Sequence, residues 1–523
     1  TGSSLPRSLF VRTARTLYSP HAGPVYSRSI VPVTRPATRP SFRADPAHSL
    51  VPRAMPSTRP SGYRSPIAGW LPTVCAAVLM GLAFTPRVQS GEVLTRSFWA
   101  AAALLVAWNV VVAFARPRRD DLVRTTLRPH HYIQALCQFA VFVYWGWYWR
   151  PVYDTAVLIG AQLAFAYGFS MLLAWWRGST YQLGFGPVPI IFSINLFLWF
   201  RDDWFWLQFL MIAAGFLGKE LIRWNRDGRR VHIFNPSAFA LGLFSLALIA
   251  TGSTGLTWGQ EIASTLTLAP RIYLYLFLVG LVVMYFFSIT LIAASAAAVL
   301  FGLSALYSAW AGVPYFVDSE IPAAVFLGLH LLVTDPSTSP RTPLGKTFFG
   351  ALYGFGVFGL YAILTSYGAP TFYDKLLCVP LLNLSVRGID SLVRTLDAKG
   401  VVIPGIGGEA APLQRLAWWS PPRLNLAHMG VWLVFFAAMA STGRADGRHV
   451  GDSLPFWEAA CEEGRRHACD RLVQLEASYC SDASAWACNE LGAHYAEGAI
   501  IDADPDLARA LFGRACELRF QEA

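Results

Sequence analysis

The chain has 523 residues, of which 54% are hydrophobic and only 14% are charged. This composition excludes an ordinary soluble globule and favours a polytopic membrane protein, whose aromatic belts the 19 Trp and 20 Tyr residues would supply. Of the net charge of +10, residues 1–66 carry ten Arg against one acid, whereas residues 451–523 carry fourteen acids against six Arg. We interpret the positive excess as a signal of membrane orientation and expect no nucleic-acid partner.

Residues 1–66 are rich in Arg, Pro and Ser and show no apolar periodicity. We expect this segment to be disordered. A cytoplasmic tail of a bacterial protein is the preferred interpretation. The alternative is an organellar transit peptide, which has a similar Arg-rich and acid-poor composition.

Apolar segments of roughly membrane-spanning length follow from residue 67 onward, judged against about 20 residues per crossing. Three of them, at 186–200, 321–334 and 375–386, are short and are predicted to be broken or re-entrant helices. The thirteen predicted segments are 67–84, 98–115, 132–149, 152–175, 186–200, 203–218, 233–252, 271–287, 289–309, 321–334, 347–366, 375–386 and 424–440.

The distribution of Arg and Lys predicts the orientation. With the basic N-terminal segment in the cytoplasm, every strongly basic loop falls on the cytoplasmic side, as the positive-inside rule requires. Thirteen crossings then place the C-terminal segment outside the cytoplasm. We therefore expect an integral protein of a bacterial inner membrane with a periplasmic C-terminal domain. The loops predicted to be cytoplasmic are 116–131, 176–184, 219–232, 334–346 and 386–398.

These features predict an all-α fold with five parts. Residues 1–66 form the disordered tail, and residues 67–131 form two additional transmembrane helices and a basic loop. Residues 132–398 form a transmembrane core. A Gly/Pro-rich linker and a final helix occupy 399–441, and a small α-helical domain occupies 442–523.

Two polar stretches interrupt the apolar core. Residues 334–346 contain Pro336, Pro340 and Pro343, which exclude a continuous helix. Irregular backbone between membrane helices is tolerated only outside the lipid or against a protein-lined cavity. The second stretch contains Lys219, followed by the sequence Phe-Asn-Pro-Ser-Ala-Phe at 234–239. Lys219 and Lys346 each follow a Gly and are two of only four lysines in the chain, so the ammonium group itself is expected to matter there.

These motifs together resemble one family. Gly-Lys-Glu at 218–220, Phe-Asn-Pro-Ser-Ala-Phe at 234–239, Thr-Asp-Pro at 334–336 and Gly-Lys at 345–346 occur in the order seen in the NqrB/RnfD family. Members of that family are membrane subunits of ion-translocating NADH:quinone and ferredoxin:NAD oxidoreductases. The resemblance covers residues 132–394 and implies a transporter-like core of two inverted repeats that meet at irregular segments.

The resemblance also implies flavin. One FMN is expected in a phosphodiester bond to a Thr hydroxyl on the outer side, and a further flavin, such as riboflavin, is expected within the helices. Hydroxyls, cations and helix N-termini would hold the phosphate of FMN. The residues of the motifs that we expect to bind cofactor are Lys219, Asn235, Pro236, Thr334, Asp335, Ser337, Thr338 and Lys346.

The attachment site departs from the family pattern. The family has a Ser-Gly-Ala-Thr-like sequence after the Asn-Pro helix, whereas the corresponding loop here reads Thr-Gly-Ser-Thr-Gly-Leu-Thr-Trp at 251–258 and Ile-Ala-Ser-Thr-Leu at 262–266. Thr265 is the closest match by position. Thr254 and Thr257 are the alternatives.

Simpler structural roles remain open for several of these residues. Asn235 and Pro236 have the residue types of a helix N-cap and first helical position, and Asp335 with Pro336 can be interpreted in the same way. Lys219 could serve only as a positive-inside anchor. His330, on an apolar helix face, is more typical of a hydrogen-bonded core residue than of a ligand.

The C-terminal segment resembles cysteine-rich Sel-type repeats, helix-pair relatives of tetratricopeptides that usually bind a protein partner. In an extracytoplasmic location, cysteines eight residues apart can meet across a short connection between helices. We therefore predict the bridges Cys461–Cys469 and Cys480–Cys488. Cys516 is either free or belongs to a longer repeat array.

Two functions are consistent with these features. The first is a flavin-bearing electron-transfer subunit that works with other membrane electron-transport subunits and is part of, or derived from, a redox-driven ion pump. The second is a flavin-free, transporter-like membrane protein whose repeat domain recruits a partner. The chain has no Gly-rich dinucleotide motif and no Cys cluster for iron–sulfur, so we do not expect it to oxidise NADH unaided.

Overall fold

A computed structural model of the chain describes residues 68–115, 123–226, 228–317, 319–399, 421–446 and 449–519. The tail at 1–66 and most of the Gly/Pro-rich linker lie outside the described residues, as does part of the predicted basic loop. The described part is mostly helical, with few strands.

Twenty α-helices and two pairs of short strands make up the described fold. The helices are α1 Leu71–Leu82, α2 Pro86–Gln89, α3 Glu92–Ala115, α4 Pro129–Tyr148, α5 Pro151–Asp154, α6 Ala156–Trp176, α7 Pro187–Asn195, α8 Trp206–Leu221, α9 Pro236–Ala250, α10 Gly259–Thr265, α11 Ile272–Phe287, α12 Thr290–Ala311, α13 Ala323–Leu331, α14 Pro343–Ser366, α15 Asp374–Ala398, α16 Pro421–Ser441, α17 Leu454–Glu462, α18 Ala468–Ser481, α19 Ala485–Glu497 and α20 Pro505–Glu517. The strands are β1 Val123–Thr125, β2 Tyr181–Leu183, β3 Arg223–Arg226 and β4 Arg229–His232.

Six of the described helical segments are long and apolar enough to cross a membrane. A seventh span results if Gly259–Leu268 and Ile272–Phe287, which are bent by 101°, are counted as one. These segments suggest a membrane environment. The six are Glu92–Ala115, Pro151–Trp176, Thr290–Ala311, Pro343–Ser366, Thr371–Ala398 and Arg423–Ser441.

Each of the thirteen predicted apolar segments overlaps a helix. Seven of these helices are, taken singly, too short or too polar to count as full spans. Two of the three segments predicted to be short are confirmed, since α7 and α13 have nine residues each. The third prediction is wrong, because α15 runs for 25 residues from Asp374 through the predicted loop at 386–398. An amphipathic pattern continues through that loop and buries Ile389 and Val393, and this continued burial explains the longer helix.

The same order of elements occurs twice in the core. In the first half, α6 packs on α7 and α8, and α8 packs on α9; in the second half, α12 packs on α13 and α14, and α14 packs on α15. In each half, the short helix also contacts the helix that begins that half. α7 contacts α4, and α13 contacts α11. The two halves meet where α4 packs on α11 and α9 packs on α15.

Fully buried amide side chains hold the break that follows α7. Asn195 Nδ2 donates to Gln162 Oε1 at 2.6 Å, and Gln162 Nε2 donates to Asn195 Oδ1 at 3.0 Å. Gln208 Oε1 accepts the backbone N–H of Phe200 at 3.1 Å. Since non-helical backbone in an apolar environment needs other hydrogen-bond partners, these amides stabilise the irregular segment 196–200.

Two small β-structures lie beside the ends of the helices. β1 pairs with β2 in parallel, and β3 pairs with β4 as an antiparallel hairpin. The hairpin packs against α15, because Arg226 contacts Asp390 at 2.8 Å and the carbonyl of Ser339 at 3.1 Å. The hairpin therefore joins the end of α8 to the second half of the core.

The C-terminal helices dock on the end of α12. Trp457, Ala460 and Leu472 pack against Ala311 and Val313, which lie at and just past the C-terminal end of that helix. The turn between α17 and α18 adds polar contacts: Arg465 Nη1 donates to the carbonyl of Gly312 at 3.1 Å, and the Arg466 guanidinium lies 4.5 Å from the ring centre of Trp310.

Both predicted disulfides are present. Cys461 is bonded to Cys469 with a Cα–Cα distance of 4.7 Å, and Cys480 is bonded to Cys488 with a Cα–Cα distance of 4.6 Å. Each bridge joins the end of one helix to the start of the next, as the spacing of eight residues predicts. The first bridge closes the turn that docks on α12.

Candidate functional site

A cavity of about 640 Å³ lies beside the β3–β4 hairpin. Five of the residues predicted from the sequence motifs line it, and they come from three separate stretches of chain. The structure therefore brings together the two polar stretches that the sequence singles out. The five residues are Lys219, Asn235, Pro236, Asp335 and Ser337.

Three helices begin at this cavity. α4, α7 and α9 each have Pro at the first helical position, and residues of the first turn of each line the wall. Proline suits this position because its missing N–H would have no intrahelical partner. Each N-terminus contributes partial positive charge, so the three together favour a bound anion.

Basic side chains add to this potential. Four of them line the cavity, against the two acidic side chains of Glu220 and Asp335. Arg223 is neutralised by Glu220 at 2.6 Å. Lys219 differs, because among the described residues it has neither a hydrogen-bond acceptor nor an ion-pair partner. The four basic residues are Arg128, Lys219, Arg223 and Arg230.

Three histidines line the cavity and were missed by the sequence analysis. The rings of His130 and His131 lie 4.4 Å apart in the first turn of α4, and His232 ends β4. Two sequence signals could have indicated them. One is His-His after a helix-starting proline, and the other is a His three residues before Asn235. In the described part of the chain, no group of three His, Cys, Asp or Glu residues is placed to hold a metal ion.

Aromatic and backbone surfaces complete the wall. Phe216, Phe287 and Tyr181 are the Phe and Tyr residues that line the cavity. At Gly184 the chain passes so close to the carbonyl of Thr126 that a Cβ atom would collide with it. Glycine is therefore needed where the segment after β2 closes against the segment after β1.

Asn235 is both a helix cap and a bridge between the two halves of the core. Its Oδ1 accepts the N–H groups of Ser237 at 3.1 Å and Ala238 at 3.4 Å, which confirms the N-cap interpretation. Its Nδ2 donates to the carbonyl of Leu332 at 3.2 Å, and its backbone N–H donates to Asn383 Oδ1 at 3.0 Å. The cap therefore ties α9 to the irregular segment after α13 and to α15.

Three other predicted residues lie near the cavity without lining it. Thr334 is buried and donates to the carbonyl of His330 at 2.7 Å. Thr338 is buried, and its carbonyl accepts from Asn383 at 3.2 Å. Lys346 Nζ donates to the carbonyl of Ser288 at 2.7 Å, where it satisfies the end of α11. These contacts give all three residues structural roles.

The candidate attachment threonines lie elsewhere. They follow α9, whose 15 residues separate them from the cavity by about 20 Å of helix. Thr257 is only 3% exposed, whereas Thr254 and Thr265 are partly exposed. The Thr265 hydroxyl donates to the carbonyl of Glu261 at 2.6 Å. The structure thus separates the predicted site residues into two groups at opposite ends of α9.

A search of family models, of curated proteins and of solved structures found no match to this chain.

Proposed function

We propose that this protein is a membrane-embedded, flavin-bearing electron-transfer subunit of, or derived from, a redox-driven ion-translocating oxidoreductase. The observation that carries the proposal is the cavity, which is lined by the first turns of three helices, by aromatic residues and by Lys219. The Lys219 ammonium group makes no hydrogen bond or ion pair among the described residues. This combination suits a planar ring system that carries a phosphate. The order of the sequence motifs supports the same assignment.

The cavity fits FMN in size and in chemistry. Its volume of about 640 Å³ is within the usual range of roughly 300–1,000 Å³ for sites that bury a ligand of this size. Phe216, Phe287 and Tyr181 offer apolar faces to the ring. The positive ends of α4, α7 and α9, together with Lys219, would hold the phosphate.

A flavin would supply the one-electron steps that side chains cannot perform, and the protein would set its position and its environment. Lys219 would bind the phosphate, and the N-terminal turns would orient it. The hairpin covers the site on the side of α15. The other membrane subunits of such a complex would deliver and remove electrons. The acidic C-terminal helices, which we assign as Sel-type repeats, would bind a protein partner.

The element order of the two halves supports an inverted repeat. α7 starts at the cavity, whereas α13 ends toward it, since Leu332 and Asp335 follow that helix. Opposite orientation of two equivalent half-helices is typical of transporter-like cores. We assign the cavity to the cytoplasmic side of a bacterial inner membrane, because the basic loops converge there.

We also propose that Thr265 carries a covalently bound FMN. It is partly exposed at the end of α10, whereas burial argues against Thr257, and Thr254 is the alternative. Thr265→Val, expressed with a flavin transferase, should abolish flavin fluorescence in a denaturing gel. The control Thr267→Val changes an exposed threonine two residues away and should leave the fluorescence intact. Fluorescence that persists in Thr265→Val would move the attachment to Thr254.

The visible absorption spectrum of the purified protein tests the function. A flavin spectrum that survives gel filtration is expected. If no flavin binds after reconstitution with FMN or riboflavin, the proposal fails. The cavity would then be the anion site of a flavin-free, transporter-like protein.

A further inference from the structure

A chain of three hydrogen-bonding side chains runs along the cavity wall. His232 Nε2 lies 3.0 Å from Ser337 Oγ, and Ser337 Oγ lies 2.6 Å from Asp335 Oδ1. His232 belongs to β4, whereas Ser337 and Asp335 belong to the irregular segment after α13. All three line the cavity.

The direction of the hydrogen bonds follows from the number of hydrogens. The Ser337 hydroxyl has one proton, and Asp335 as a carboxylate can only accept, so Ser337 donates to Asp335. The Ser337 oxygen therefore accepts from His232, and the neutral imidazole carries its proton on Nε2. All the hydrogen bonds in this chain point toward Asp335.

We propose that His232, Ser337 and Asp335 form a proton relay that delivers protons from solvent to the ligand in the cavity. The proposal rests on the proposed flavin function, because reduction of a flavin ring by two electrons from a partner electron-transfer protein includes the uptake of a proton at a ring nitrogen. Asp335 is the residue that gives the proton to the ligand, and His232 is the entry point.

One proton passes through the relay. After the transfer, each of the three side chains carries the same number of hydrogens as before. A solvent proton binds Nδ1 of His232, and the Nε2 proton passes to Ser337 Oγ. The Ser337 hydroxyl proton passes at the same time to the Asp335 carboxylate, which then gives it to the ligand. Exchange with solvent returns the imidazole of His232 to its first tautomer.

The environment of His232 favours release of a proton from its imidazole. Burial lowers the pKa of the imidazole, and Lys219 and Arg223 act in the same direction, while Asp335 and Glu220 raise it. These groups come from the end of α8, from β3 and from the segment that holds the relay. Burial and the two cations therefore disfavour the protonated form of the imidazole.

A local turn explains only part of this arrangement. Asp335 Oδ1 also accepts the backbone N–H of Ser337 at 2.9 Å, as an Asx-type turn requires. The turn does not require a histidine. His232 reaches Ser337 across a sequence separation of 105 residues, so the contact depends on the closure of the hairpin over the cavity.

Ser337→Ala breaks the relay, Ser337→Thr retains the hydroxyl, and Ser339→Ala is a control in the same segment that does not line the cavity. Flavin content is measured first. The flavin is then reduced chemically in weak buffer, and a pH indicator records the rate of proton uptake. The rate is expressed per bound flavin, and we expect it to slow by about tenfold or more in Ser337→Ala. Ser337→Thr and Ser339→Ala should match the parent.

Proton uptake at the parental rate in flavin-loaded Ser337→Ala would overturn the relay. Nitrogen-15 NMR of the histidines in flavin-free protein provides the second readout. The relay predicts the Nε2–H tautomer of His232 in the parent and in Ser337→Thr. It predicts that this tautomer preference is lost in Ser337→Ala. The Nδ1–H tautomer in the parent overturns it. Failure of the parent to bind flavin would overturn the proposed function, whereas the NMR result would still test the hydrogen bonds.

Discussion

At the scale of the residue, Asn235 shows how a helix cap can also hold a binding site together. Its side-chain oxygen caps α9, while its side-chain nitrogen reaches the carbonyl of Leu332 in the other half of the core. An alanine in this position would leave buried N–H and C=O groups without partners. Such groups cost about 1–3 kcal/mol each.

Asn235→Ala is therefore expected to lower the free energy of unfolding by more than the loss of a helix cap does. The loss of a cap alone lowers the free energy of unfolding by about 1 kcal/mol. Ser484→Ala is the matched control, since Ser484 caps α19 in the C-terminal domain and lies far from the cavity in sequence. Thermal unfolding should show a larger loss for Asn235→Ala, which should also lose flavin. If both variants lose the same thermal stability and retain full flavin content, Asn235 acts only as a helix cap.

The residues of the cavity were partly predictable. Lys219, Asn235 and Asp335 were found because a polar stretch stands out against apolar helices. His232 and Arg128 were not, because a histidine or arginine in a basic loop is ordinary until the fold shows what it faces. Cofactor binding by Lys346 remains a prediction, and in this structure its ammonium group donates to the carbonyl of Ser288 at the end of α11.

At the scale of the element, the helix positions follow from the hydrophobic pattern, but the helix ends depend on tertiary contacts. α13 begins after Pro322 and ends before the segment that contains Pro336. α7 ends at Asn195 although apolar residues follow it, and buried amide side chains stabilise the break there. α15 is longer than predicted because its amphipathic pattern continues and buries Ile389 and Val393, and Asp390 of the same stretch contacts Arg226 of the hairpin. The two strand pairs were not predicted, since segments of three or four residues show no clear alternation.

The two disulfides are expected to stabilise different contacts. Cys461→Ser with Cys469→Ser opens the turn whose Arg465 and Arg466 dock on α12, whereas Cys480→Ser with Cys488→Ser opens a turn within the C-terminal domain. A loop of this length contributes about 2–3 kcal/mol. Hydrogen exchange of the full chain should show faster exchange in both α17 and the end of α12 only for the first pair. Identical exchange patterns for both pairs would contradict a docking role.

At the scale of the whole molecule, α11 runs between two opposite ends of the core. Near its N-terminus, the backbone N–H of Tyr273 donates to Asp446 Oδ1 at 3.0 Å, next to the C-terminal domain, and its last residue, Phe287, lines the cavity. Sixteen residues of helix span about 24 Å. The C-terminal domain and Thr265 thus lie at one end of the core, and the cavity lies at the other.

This geometry predicts opposite sidedness in the membrane. In a Cys516→Ser background, Ser391→Cys marks the cavity end and Asp502→Cys marks the C-terminal domain, and both positions are exposed. A membrane-impermeant thiol reagent should label Asp502→Cys from outside intact cells and Ser391→Cys only in inverted vesicles. Labelling of both from the same side would contradict the assigned topology.

The binding of FMN and of riboflavin to Lys219→Met, measured by equilibrium titration, tests the central claim most directly. The Lys219 ammonium group makes no hydrogen bond or ion pair among the described residues, and only longer-range attraction acts between it and Glu220 and Asp335. Its loss should therefore leave thermal stability close to that of the parent. The lost phosphate contact should weaken FMN binding by about tenfold or more. Riboflavin, which has no phosphate, should bind the variant and the parent equally. Lys346→Met is the control, and it should lower stability while FMN affinity is retained. Equal FMN affinity of Lys219→Met and the parent would contradict the assignment of the cavity as the flavin phosphate site.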